Sequence, residues 1–135
     1  MTTIDLLGAT GILSEGECWE RLSARSVGRL AVILDGRVEI FTVNYGLDGE
    51  GVIFRSNAGR KMSGAWNREV TFEVDSVDTE AGTGWSVVIH GPARDITRFD
   101  APMRQIAARS WTGPKDFLVR IAPRSLSGRR LAFNP

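Results

Sequence analysis

Two β-rich runs, Val27–Leu34 and Arg37–Asn44, are separated only by Asp35-Gly36. A two-residue connection of this kind favours a turn whose central residues both have positive φ, because its twist matches that of the paired strands, and Asp-Gly is one of its preferred sequences. The two runs therefore predict an antiparallel hairpin, and a hairpin placed this early needs further strands to cover it. A second turn, Leu47-Asp48-Gly49-Glu50-Gly51, leads to a strand over Val52–Ser56, which extends the hairpin to a three-stranded meander. Arg68–Asp75 alternates, with Val70, Phe72 and Val74 on a buried face and Thr71, Glu73 and Asp75 on a wet one. Ser76–Gly84 reads as an acidic, glycine-rich loop, and Trp85–Thr97 as a long strand with a bulge or bend at Gly91-Pro92. Phe117–Ile121 supplies a last strand, and Ser127–Arg130 reads as a basic tail.

Helical signals are fewer. Ser14 and Glu17 have the spacing of a capping box, so a helix can start there and run through Cys18, Trp19, Leu22 and Ala24. A short helix over Gly59–Ala65 follows the third strand, and Phe99–Ser110 has helical spacing before the turn Trp111-Thr112-Gly113-Pro114. The sum predicts a mainly β fold, a small and mostly antiparallel barrel with peripheral helices. At 135 residues and 42% hydrophobic content the chain fits one domain with one core, and residues 1–13 are expected as a disordered or extended arm.

Seventeen basic and sixteen acidic residues leave a formal charge of +1, with no long single-sign block of the kind that marks a nucleic-acid stripe. One cysteine and one histidine exclude an internal disulfide framework and the usual zinc spacings. No run of eighteen apolar residues occurs, and the start lacks a basic segment followed by an apolar one. The expectation is a cytoplasmic protein without nucleic-acid or membrane partners.

One stretch concentrates chemistry. In Phe54–Met62, FRSNAGRKM, an apolar strand runs into Arg55-Ser56-Asn57, a glycine, the basic pair Arg60-Lys61 and a helix start. Two cations, small hydroxyl and amide side chains and unpaired N–H groups suit a phosphate dianion; the competing reading is a pair of solvated charges on a short surface helix. Elsewhere the bland readings carry more weight. His90 has no acidic neighbour to fix its tautomer and is expected to be structural or solvent-facing. Cys18 is expected as a buried, inert thiol. Trp19, Trp66, Trp85 and Trp111 are scattered rather than interleaved with basic residues, which suits core or interface roles over base stacking. Ser14, Ser23 and Ser26 lack a readable triad partner. Arg129 and Arg130 either reach a phosphate or solubilise the terminus.

With these pieces in order, the chain resembles the pyridoxamine 5′-phosphate oxidase-like, FMN-binding split-barrel proteins, in particular their short actinobacterial type. The matching pieces are ECWERL, SVGRLAV, EIFTVNY, FRSNAGRKM, VTFEVD, GWSVVIHGPA and WTGPKDFLVRIAPRSLSGRR, spanning about residues 14 to 131. The resemblance implies a split β-barrel that forms a homodimer, with two FMN sites at the subunit interface. It puts Lys61 on the ribityl phosphate, with Arg55, Ser56 and Gly59 in the same turn, while Arg60 replaces a small hydroxyl residue. Val43, Asn44 and Tyr45 match the strand end along the isoalloxazine ring, where backbone groups meet the flavin edge; Trp85, Ser86 and Trp111 match positions near the site or the partner subunit. Related nitroimidazole-resistance proteins carry a histidine at the position that Arg55 matches in this chain, so the resemblance does not imply that chemistry here. The implied function is a flavin-dependent oxidoreductase acting on a small organic acceptor. The alternatives are a deazaflavin-dependent reductase and a non-catalytic, flavin-sequestering dimer, and no catalytic residue is implied.

Overall fold

The computed structural model describes residues 5–6, 11–56, 63–96 and 117–133. Among the described residues, eight strands and one α-helix lie in the order β1 (Asp5–Leu6), α1 (Glu15–Ser23), β2 (Val27–Leu34), β3 (Arg37–Asp48), β4 (Gly51–Ser56), β5 (Glu69–Asp78), β6 (Thr83–Asp95), β7 (Phe117–Ile121) and β8 (Ser125–Ala132), with a 3₁₀ turn at Ser63–Ala65 between β4 and β5. Every strand pairing is antiparallel. Following neighbours from β6 through β5, β2, β3, β4 and β7 returns to β6, so six strands close a barrel. β8 and then β1 extend the wall beyond β6. The mainly β, split-barrel expectation holds.

The first hairpin forms as its turn residues dictate. Asp35 and Gly36 have φ of 52° and 76°, and Leu34 faces Arg37. β3 then outruns its partner. Its residues 37–44 pair with β2 and its residues 45–48 with β4, so one strand carries two neighbours along its length and opens a seam where it changes between them.

β6 closes the barrel by a second change of neighbour. It pairs with β8 up to His90 and with β7 from Ala93. The bend expected at Gly91-Pro92 falls at this handover and needs no break in the strand. Gly91 is required by space, since a Cβ there would overlap the Ala122 carbonyl oxygen. The carbonyls on either side remain in use: Pro92 O accepts from Ala122 N at 3.3 Å and His90 O from Arg124 N at 2.7 Å.

Two expectations need correction. The loop at Ser76–Gly84 is shorter than its composition suggests, because residues 75–78 pair with residues 83–86 and leave only residues 79–82 as the turn. The basic tail at Ser127–Arg130 is a strand, paired with β6 over eight residues. Its inward positions are Leu126, Gly128 and Arg130, an alternation too weak in hydrophobicity to be read as a strand. The small residue is needed because α1 packs there: a Cβ on Gly128 would lie 2.6 Å from Cys18 Sγ and 2.9 Å from Leu13 Cδ1. The helix proposed for Phe99–Ser110 lies outside the described residues.

α1 begins at the expected capping box. Ser14 N donates to Glu17 Oε1 at 2.9 Å and Glu17 N to Ser14 Oγ at 3.1 Å, satisfying two amides that a helix start leaves open. The helix buries Cys18 and Leu22 in the main core with Leu30, Val32, Phe54, Val70, Phe72, Val74, Val87 and Ile89. At roughly 1.5–3 kcal/mol for each fully buried large apolar side chain, this inward row is the dominant stabilising term. A smaller cluster of Ile53, Ile96 and Leu118 sits on the other side of the β4–β7 wall.

Candidate functional site

The seam in β3 lies beside the end of β4, just ahead of the stretch expected to hold a phosphate. The last β3–β4 pair is Tyr45 with Phe54, and the next residues outward are Asn44 on β3 and Arg55 on β4. Ser56 ends β4 opposite Phe117. Gly59, Arg60, Lys61 and Trp111 lie outside the described residues.

Alternation divides the remaining expected residues between two faces. Val43 and Tyr45 point inward with the main core, as do Trp85 and, following Val52 and Phe54, Ser56. Asn44, Arg55 and Ser86 point outward. Trp85 and Ser86 are adjacent, so they project from opposite sides of the wall. The indole of Trp85 lies on the helix side, where the Arg21 guanidinium sits 5.9 Å from its ring centroid. Tyr45 is 3% exposed and its hydroxyl donates to Leu22 O at 2.6 Å. Its amide is also committed, to Ser26 O at 2.9 Å. Burial pushes the phenol up to about 12, partly offset by Arg25. Tyr45 thus stiffens the strand under the seam from inside.

Arg129 and Arg130 separate in the same way. Arg130 turns inward and its Nη2 donates to Glu17 Oε2 at 2.6 Å. Arg129 is exposed on the outer face, opposite Ser86 on β6. The outer face of β8, β6, β5, β2 and β3 is a continuous surface of aligned rows. One row runs Thr42, Arg29, Glu73, Val88, Ser127; the next runs Ile40, Ala31, Thr71, His90, Ser125; beyond it Ile33 faces Val38. Ile33, Val38 and Ile40 are 66%, 67% and 65% exposed, which makes the hairpin end of this face apolar.

Sequence reasoning treated Glu73 and Asp75 only as a wet face. The structure finds both beside one cation, with Arg29 Nη1 3.6 Å from Glu73 Oε1 and 3.4 Å from Asp75 Oδ2. Glu73 Oε1 is buried without a hydrogen bond. Burial first, and then neighbouring Asp75, push Glu73 up to about 7 against the pull of Arg29. Two acidic residues at strand spacing were the available signal. His90 is exposed, its Nδ1 2.9 Å from Thr71 Oγ1. Cys18 is buried, with its thiol pushed up by desolvation. No metal-binding cluster occurs among the described residues, and none of their helices is long and apolar enough to cross a membrane.

A closed antiparallel barrel whose third strand changes neighbours beside the candidate site is a split barrel. Residues 14–130 match the family model for pyridoxamine 5′-phosphate oxidase, and the chain belongs to that family. It is similar to the FAD-binding protein from Mycobacterium smegmatis, at 35% identity over 90% of this chain and 99% of that one, with a TM-score of 0.75. A conserved protein of unknown function from Corynebacterium diphtheriae is 35% identical over 90% of this chain and 96% of that one, with a TM-score of 0.68. An FAD-binding protein from Mesorhizobium loti shares the fold at 22% identity, covering 98% of this chain and 99% of that one, with a TM-score of 0.74. No curated protein matches the chain.

Proposed function

We propose that the chain is a homodimeric flavoprotein that binds FMN through the turn after Ser56 and works as an oxidoreductase on a small organic acceptor in the cytoplasm. The observation that carries this reading is the seam. Asn44 and Arg55 are the next residues outward from the last β3–β4 pair, and in the sequence Arg55 stands shortly before Gly59, Arg60 and Lys61, which supports one shared ligand for them. That donor set fits a ligand with a phosphate at one end and a polar ring edge at the other. The bound flavin supplies hydride transfer; the chain's own residues bind and orient it. Lys61 and Arg55 neutralise the phosphate, Asn44 meets the ring edge, and the packed Tyr45 keeps the strand from yielding. The apolar outer face, with Ile33, Val38 and Ile40 uncovered, supports a second copy as the partner that encloses the ring.

FAD is a second reading, favoured by the FAD-binding relative that shares 35% identity with the chain. Titration by flavin fluorescence separates the cases. FMN should bind more tightly than riboflavin, because the phosphate adds charge-assisted hydrogen bonds of about 1.5–3 kcal/mol each. Equal affinity for the two would sink the phosphate-turn assignment, and FAD binding well above FMN would replace the cofactor. Lys61→Ala should weaken FMN binding by roughly tenfold to a hundredfold and Arg60→Ala by less, since adjacent side chains at a helix start diverge by about 100°. The reverse order would move the phosphate to Arg55 and Arg60.

A further inference from the structure

The outer face holds two carboxylates for one nearby cation. Glu73 and Asp75 project from β5 on the same side, two residues apart, and Arg29 on β2 lies between them at 3.6 and 3.4 Å. Arg29 is the direct cross-strand partner of Glu73, but 3.6 Å is too long for a hydrogen bond, and Glu73 Oε1 is left buried without one. The side chains of Glu73 and Asp75 keep only 29% and 33% of their exposure, already without a second molecule present.

The surroundings offer little more positive charge. On β6, Val88 stands opposite Glu73, with Ser86 opposite Asp75 and His90 opposite Thr71. His90 is held by the Thr71 hydroxyl. On β8, Ser127 stands opposite Val88, and Arg129 lies two strands from Asp75, opposite Ser86. On β3, Thr42 stands opposite Arg29. Among the described residues, the group facing Glu73 is therefore one guanidinium, one further carboxylate and neutral or apolar side chains.

We propose that the Glu73–Asp75 pair is a proton-linked latch in the homodimer: closing the outer face against a second copy takes up a proton at this pair, so that assembly strengthens as the solution is acidified. This rests on the homodimer of the preceding section and adds its regulation. Removing the remaining water disfavours the second negative charge, because Arg29 balances only one. An identical face carries its own Glu73 and Asp75 beside its own Arg29, so the second copy repeats the surplus of one carboxylate at this pair instead of relieving it. The dimer then holds more protons than the separated chains, and linkage makes it tighter at low pH and looser at high pH.

The test is subunit exchange between donor-labelled and acceptor-labelled copies of the full chain, followed by energy transfer between about pH 6 and pH 8.5. The wild type should exchange faster at the alkaline end, by up to about a hundredfold for a shift of about one pKa unit at each of the two pairs in the dimer. Glu73→Gln, which keeps the shape and removes the titration, should exchange slowly and at one rate throughout. His90→Gln should retain the wild-type pH dependence, which excludes the histidine as its source. A wild-type dimer with the same exchange rate at every pH would overturn the latch and leave the homodimer standing. PH dependence that survives in Glu73→Gln would overturn it as well. Chains that never show energy transfer would remove the homodimer itself, and the latch with it.

Discussion

The hydroxyl of Tyr45 joins the helix to the barrel through one bond. It donates to Leu22 O at 2.6 Å, and the ring packs edge-on against Phe72 with centroids 5.2 Å apart. Leu22 O keeps a second donor in Arg25 N at 3.4 Å, so Tyr45→Phe does not orphan the carbonyl. The expected loss is therefore about 1 kcal/mol, the net value of a hydrogen bond, rather than the larger cost of a stranded buried group; urea unfolding would check it. Tyr45 is the only tyrosine, which makes its titration directly visible by ultraviolet absorption. Its phenol is pushed up to about 12, above the usual 10.0, so the folded chain keeps a proton that the unfolded chain releases. Stability should fall as pH rises from about 10 towards 12, and ionisation near 10 in the folded protein would contradict the burial.

Element by element, strands whose inward residues are large were readable and those packed through small residues were not. The alternation of Val70, Phe72 and Val74 announced β5, and Asp35-Gly36 announced the hairpin. β8 stayed hidden because the space facing Gly128 is filled by Cys18 and Leu13, residues far away in the chain. The sequence held the packing requirement, but distributed over two segments that no local pattern connects. Gly128→Ala should lower stability by about 1–3 kcal/mol through overpacking. The double variant Cys18→Ala with Gly128→Ala should lose less than the sum of the single changes, because removing Sγ makes room for the new methyl group. Strict additivity in denaturation midpoints would mean that the two residues do not touch. The candidate site was half readable for a related reason. The resemblance located Asn44, Arg55, Trp85 and Ser86 along the chain, whereas which wall each side chain serves follows from strand pairing. The carboxyl pair carried no motif at all and became visible only when Arg29 was brought across from β2.

For the whole molecule, the outer face is the feature with the widest consequences. Ile33 and Ile40 are about two-thirds exposed, so charging them removes little from the chain's own core. Ile33→Lys with Ile40→Lys should leave the unfolding midpoint near that of the wild type and convert the protein to a monomer by light scattering. Flavin affinity should fall with it, if the second copy encloses the ring; an intact dimer would move the interface elsewhere. The same wall also constrains how its gene can change. β6 presents Trp85, Val87 and Ile89 to one side and Ser86, Val88 and His90 to the other, while bonded on both edges. Losing a single codon there would exchange the two sets along the rest of the strand, a larger injury than most amino-acid replacements. In-frame deletions should therefore be purged from residues 85–90 and tolerated at residues 79–82, so that the length of this strand outlasts its spelling.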